Sequence, residues 1–297
     1  MSEFDYSPEW IRYSIQRSLE RLKTTYLDVV YCHDVEFVTA AEVLVAVKEL
    51  RRIRDEEGTI KYVGISGYPV PLLVELAELV KRESGEGLDA VMSYANFTLQ
   101  NEGLKDGLKR LEAAGVRCVP NASPLGMGLL RSQGVPVGGK GDFHPAPLEL
   151  RAKVLEAARW IDGKGEKLEV VSIRWGLETW AREGACLGGV GGIGVSVMGV
   201  SNLEELEETM RVWNSVLDGL PIPGRDVPEG KRQWSLERRK NVDNLAKGIW
   251  KILGGWKDYA WPSPDEGYVN IRAVKGVVDE VAPLPDAKDD LSKSSRL

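Results

Sequence analysis

A unit of about thirty residues recurs along this chain and leaves few folds open to it. Apolar segments end at His33, Ser66, Ser93 and Ser123, which are 33, 27 and 30 residues apart. Between them lie stretches whose apolar residues repeat at helical spacing. Ser7 and Pro8 form a cap-and-first-turn signal, and Ile11, Ile15, Leu19 and Leu22 then line one face of a helix expected over 7–23. "YLDVVYC" reads as a strand, and Val43, Val47 and Leu50 stripe a helix from Ala40 to Arg54. Gly58 turns the chain into a strand ending at Ser66. A helix follows from Pro71 to about Arg82, then the strand "LDAVMSY", then a helix carrying Leu104, Leu108 and Leu111. Gly115 repeats the turn-into-strand device. Two helical stretches fill 148–183, and "VSVMGVS" leads into a last helix with Leu206, Met210, Trp213 and Leu217. Alternating strands and helices require parallel pairing with right-handed crossovers, and strands apolar throughout are buried on both faces. The even pitch favours an α/β barrel of the (β/α)8 TIM type over a doubly wound sheet.

The strand ends share a second property. His33 and Asp34, Ser66, Ser93 with Tyr94 and Asn96, Asn121 with Ser123, and Ser201 with Asn202 all follow apolar runs. In a parallel barrel this rim is where sites are built. Composition narrows the partners. The net charge is -6 with no Lys/Arg-rich run, which argues against nucleic acid. The N-terminus lacks an apolar leader, and no run of 18 apolar residues occurs, so no membrane span is expected. The three cysteines, Cys32, Cys118 and Cys186, lie far apart with no metal-binding spacing. Together these point to a protein of the reducing cytoplasm, acting on a small molecule and holding no metal.

"SLERLKTTYLDVVYCHD", "GTIKYVGIS", "DAVMSYANF", "VPNASPLGMGLL" and "VMGVSNLEELEET" occur in the order, and over roughly residues 7–215, in which the aldo-keto reductases carry such segments. The chain resembles that family of (β/α)8 barrels, which move a hydride between NAD(P)H and a carbonyl or alcohol. "SYANFTLQN", "ASPLGMGLL" and "FHPAP" are similar to the branch of NAD-dependent D-arabinose and L-galactose dehydrogenases, which oxidise sugars to lactones. The resemblance implies a catalytic tetrad of Asp, Tyr, Lys and His, in which His33 matches the histidine. The other three belong to strands that precede it in the family. Only 32 residues precede His33 here, and ahead of its own strand they hold one helix and no other strand. The expectation is therefore an incomplete barrel without its first three strands. Asp5 and Tyr6 in "FDYS" are adjacent, unlike the family's pair, and are not expected to substitute for it.

For the cofactor, the resemblance assigns Ser66 to the nicotinamide carboxamide, with Gly67 where asparagine is usual. Ser93 stands where glutamine is common, and Ala122 where a tyrosine often stacks. Ser123 and Leu125 follow the pyrophosphate grip. Gly199, Val200 and Ser201 form the loop after the last strand, Glu205 replaces a basic residue, and Glu208 matches an adenine-side glutamate. No basic residue lies between 199 and 210. A carboxylate repels a 2′-phosphate and accepts from a ribose hydroxyl, so NAD is expected over NADP. "GGVGGIG" at 188–194 precedes a strand, the reverse of a dinucleotide fingerprint, and reads as a loop. His144 is expected at the surface, with a substrate-loop contact as the alternative. The domains expected are a partial barrel over 1–217, an extension over 218–282 that packs on it, and a disordered tail over 283–297. Two functions follow: an NAD(P)-dependent aldose oxidoreductase impaired by the absent Asp, Tyr and Lys, or a non-catalytic remnant of a nucleotide cleft.

Overall fold

The computed structural model describes residues 3–136, 138–184, 192–272 and 275–276. Five parallel strands pair in chain order: β1 (Leu27–His33), β2 (Ile60–Gly67), β3 (Ala90–Tyr94), β4 (Val119–Ala122) and β5 (Gly194–Val197). Helices α1 (Pro8–Leu22), α2 (Ala40–Arg52), α3 (Val70–Ser84), α4 (Leu104–Ala113), α5 (Leu148–Asp162), α6 (Leu168–Glu183) and α7 (Leu203–Asp218) alternate with them. A long helix, α8 (Glu229–Leu253), follows. Pro228, with extended backbone, supplies its entry. Local chemistry sets the helix starts as read. Ser7 accepts from the Trp10 N–H, and Thr39 and Glu42 form a reciprocal capping box. Gly58 and Gly115, at φ +66° and +84°, make the turns into β2 and toward β4.

The sheet is open among the described residues, with β1 and β5 as its edges. Register assigns its faces. His33 pairs with Ser66, Ser66 with Met92, Tyr94 with Ala122, and Ala122 with Val197, so these side chains share one face. The opposite face carries Cys32, Ile65, Val91 and Ser93, all buried against the helix layer. Two glycines confirm the alternation: a Cβ at Gly64 would meet the Tyr31 ring at 2.9 Å, whereas one at Gly67 would meet Leu73 of α3 at 3.4 Å. The first face is wet at both edges, with Val29, Val195 and Val197 left 41%, 48% and 39% exposed.

The chain beyond α7 returns to the rim. The Trp250 indole donates to the Leu99 carbonyl, and Gln100 donates to the carbonyls of Trp256 and Tyr259. Trp261 stacks on Tyr68 at 4.9 Å. Segment 256–264 thus lies over the ends of β2 and β3. No helix among the described residues is long and apolar enough to cross a membrane. The expected tail over 283–297, and Gly189 and Gly191 of the glycine motif, lie outside the described residues, while Gly194 opens β5.

Candidate nucleotide cleft and rim

His33 ends β1 with its side chain 75% exposed on the open face. Asp34, at φ +60°, turns its carboxylate back to 3.1 Å from His33 Nδ1. That contact raises the imidazole above its ordinary value, against a smaller opposing effect of burial. Behind the strand, the Tyr6 hydroxyl donates to the His33 carbonyl. Asp5 accepts from the N–H groups of Ser7 and Gly276 and from Arg272. Both residues of "FDYS" therefore brace the N-terminal segment and hold the end of β1 in place.

Tyr6, Tyr31, Tyr68 and Tyr94 lie on or beside the strand ends. Burial pushes all of them up: Tyr6, Tyr68 and Tyr94 strongly, Tyr31 to about 12. A phenol that works as an acid/base near neutrality needs a neighbouring cation to bring it down. The influences on these four are burial and nearby acidic or neutral groups, so none of them is activated.

The expected cofactor residues divide into three groups. Ser66 shares the open face with His33 and pairs with it in register. Its Oγ is buried without a protein hydrogen-bond partner, so a water or a ligand group can complete it. Leu125, Gly199, Val200, Glu205 and Glu208 line one cavity of about 130 Å³ together with Arg131, Glu169, Ile173, Met198 and Thr209. Ser201 joins this group through its backbone, donating to Glu205 Oε2 at 2.8 Å. Ser123 sits just ahead, at φ +56°, a strained conformation for a residue with a side chain. Its carbonyl accepts from Gly126 and starts the tight loop that carries Leu125. Ser93 falls apart from the rest. It points into the helix layer with no exposed surface, accepting from Asn96 and donating weakly to the Tyr68 carbonyl.

His144 corrects an expectation. It is 3% exposed rather than on the surface. Nδ1 accepts from the Ala146 N–H at 3.0 Å, which leaves the proton on Nε2, 2.9 Å from the Gly126 carbonyl. The ring thus pins the loop that carries Leu125, and burial lowers its pKa. One residue of the cleft carries no local signal in the sequence. Arg131 comes from the loop after β4, and its guanidinium lies 3.7 Å from Glu205 Oε1. The cleft has a cation after all, supplied from 74 positions earlier in the chain.

The profile of the aldo/keto reductase family matches residues 1–219. The D-arabinose 1-dehydrogenase of Saccharomyces cerevisiae is 42% identical over 208 residues, 69% of this chain and 57% of that protein. The L-galactose dehydrogenase of Arabidopsis thaliana is 30% identical over 236 residues, 77% of this chain and 70% of that protein. The aligned part of the chain therefore spans little more than half the length of the yeast relative.

Proposed function

The chain belongs to the aldo/keto reductase family, and from that premise we propose that it holds NAD for the oxidation of an aldose at its anomeric carbon. The observation that carries the cofactor part is the pairing of an unsatisfied Ser66 hydroxyl on the open face with the cavity between Leu125, Val200 and Glu208. A bound nicotinamide would supply the hydride acceptor. Ser66 would hold its carboxamide, the Ser123–Leu125 loop its pyrophosphate, and Gly199–Ser201 with Glu208 its adenosine end. NAD is preferred over NADP on the strength of Glu205. The substrate class rests on the two relatives, whose names specify D-arabinose and L-galactose.

His33 has the geometry of an orienting group. Its exposed imidazole stands on the face that carries Ser66, and Asp34 keeps it more basic than usual, so it can donate to a sugar oxygen. Oxidation also needs a base for the hydroxyl proton. None of Tyr6, Tyr31, Tyr68 and Tyr94 is activated for that work, and the help at stake is roughly 10²- to 10⁴-fold. The 297-residue polypeptide is therefore proposed to bind NAD but to turn over aldoses poorly. The same observation favours the second reading, a non-catalytic nucleotide-binding protein. Following NADH absorbance with D-arabinose and L-galactose, beside NAD titration by fluorescence quenching, tests both. Binding without turnover is the expected result. Fast turnover lost in His33→Ala would overturn the claim of impairment, and failure to bind NAD would remove the cofactor assignment.

A further inference from the structure

Helices α6, α7 and α8 border a cavity of about 630 Å³ that shares no lining residue with the nucleotide cavity. Its charge runs against that of the chain, which carries a net -6. Arg174, Arg211 and Arg238 line it, against one carboxylate, Glu237. Arg174 is the buried member, with its side chain 3% exposed. It donates to the Ser215 hydroxyl and to the carbonyl and hydroxyl of Ser235, yet its Nε is buried without a partner. Its carboxylate, Glu178, also pairs with Arg239, so one anion serves two cations. Burial, joined by the charges of Arg238 and Arg239, lowers the Arg174 pKa against the pull of Glu178. Arg238 is neutralised by a two-pronged grip on Glu166. Arg211 is not. Its Nε donates to the Glu207 carbonyl at 3.3 Å, and it makes no ion pair among the described residues.

An aromatic surface lies beside these charges. The Arg174 guanidinium sits 5.8 Å from the centroid of the Trp234 ring, and Trp234 remains 55% exposed. Val170 and Val212 add apolar wall. Surplus fixed positive charge and an unsatisfied buried donor favour an anion. An exposed indole next to them favours a flat apolar body. We propose that this groove binds a small planar aromatic carboxylate, with its ring on Trp234 and its charge held by Arg211 in the positive field of Arg174. A simple inorganic anion would leave the indole unused, and a neutral aromatic would leave the charge unanswered. Glu237, which accepts from Gln233 at 3.0 Å, opposes a second negative charge, so a monoanion fits better than a phosphate. The site is independent of the nucleotide reading, and its failure would leave that reading untouched.

The test titrates the full chain calorimetrically with 2-naphthoate and with its uncharged amide, 2-naphthamide. Arg211 and Trp234 are both exposed, so Arg211→Gln and Trp234→Ala are expected to keep the fold, which circular dichroism verifies. Expected for the wild type is naphthoate binding with a Kd of about 1 mM or tighter, and amide binding about fivefold weaker. Arg211→Gln should weaken naphthoate about fivefold and leave the amide unchanged, the scale of one exposed charge pair. Trp234→Ala should weaken both probes, by about tenfold for naphthoate. Glu237→Gln should instead tighten naphthoate. Equal affinity for acid and amide, or naphthoate binding unmoved by Arg211→Gln and Trp234→Ala, would overturn the proposal. So would the absence of naphthoate binding at about 10 mM.

Discussion

At the scale of single residues, the two histidines titrate in opposite directions, and each direction has a visible cause. Asp34 holds the exposed His33 above the ordinary histidine value, whereas burial holds His144 below it. Proton NMR titration of the two ring signals should bracket the free value, and Asp34→Asn should bring His33 down. His144 also makes stability depend on pH. Its unfolded form takes up a proton near pH 6.5 and its folded form only at lower pH. The stabilisation is therefore complete above that value and lost as pH falls through the folded one. Urea unfolding should show this loss as pH falls below about 6.5. His144→Gln should cost about 1–3 kcal/mol at pH 7.5, since two buried partners lose their bonds. It should also flatten the acid side of the profile. An unchanged profile would mean that other groups carry it.

At the scale of elements, α8 joins the layers by close approach. Gly248 lies where a Cβ would run into the Trp160 ring of α5, and Trp160 is itself half-buried. Gly248→Ala should cost about 1–3 kcal/mol by overpacking, despite alanine's better helix propensity. Gly230 lies on the same helix with open space around it. Gly230→Ala should be neutral or stabilising by up to about 1 kcal/mol. Urea midpoints of the two variants separate packing from propensity, and equal shifts would refute the packing account. The same helix reaches α6 through charge: Arg239 pairs with buried Glu178, which also faces Arg174 at 3.3 Å. That network fixes where α8 lies, and so where segment 256–264 crosses the rim.

At the scale of the whole molecule, the open sheet dominates. The described strands leave one side each of β1 and β5 without a neighbour, and apolar side chains beside those edges are wet. Such edges pair with other chains. Sedimentation velocity should show association that grows with concentration. Val195→Lys, placing a charge on the face beside the β5 edge, should reduce it. A monomer at all concentrations would show that these edges are protected in solution.

The sequence by itself determined the elements and the family. Periods of 3.6 and 2, caps such as Ser7 and Thr39, and glycines such as Gly58 act within a few residues, so they are readable in one dimension. The order of the strand ends, and hence the rim with His33 and Ser66, follows from parallel pairing alone. Which face a strand residue occupies was decided only in three dimensions. Both sides of these strands are apolar, so alternation has no visible phase until register fixes it. That is why Ser93 turned out to point into the helix layer, away from His33 and Ser66. Burial of His144 had the same origin, since a polar loop carries no sign that Trp261 will pack against it at 5.4 Å. The Arg131–Glu205 pair was the least legible, because the strand and two helices between its members determine whether they meet, and no local signal in either segment encodes a contact made by docking.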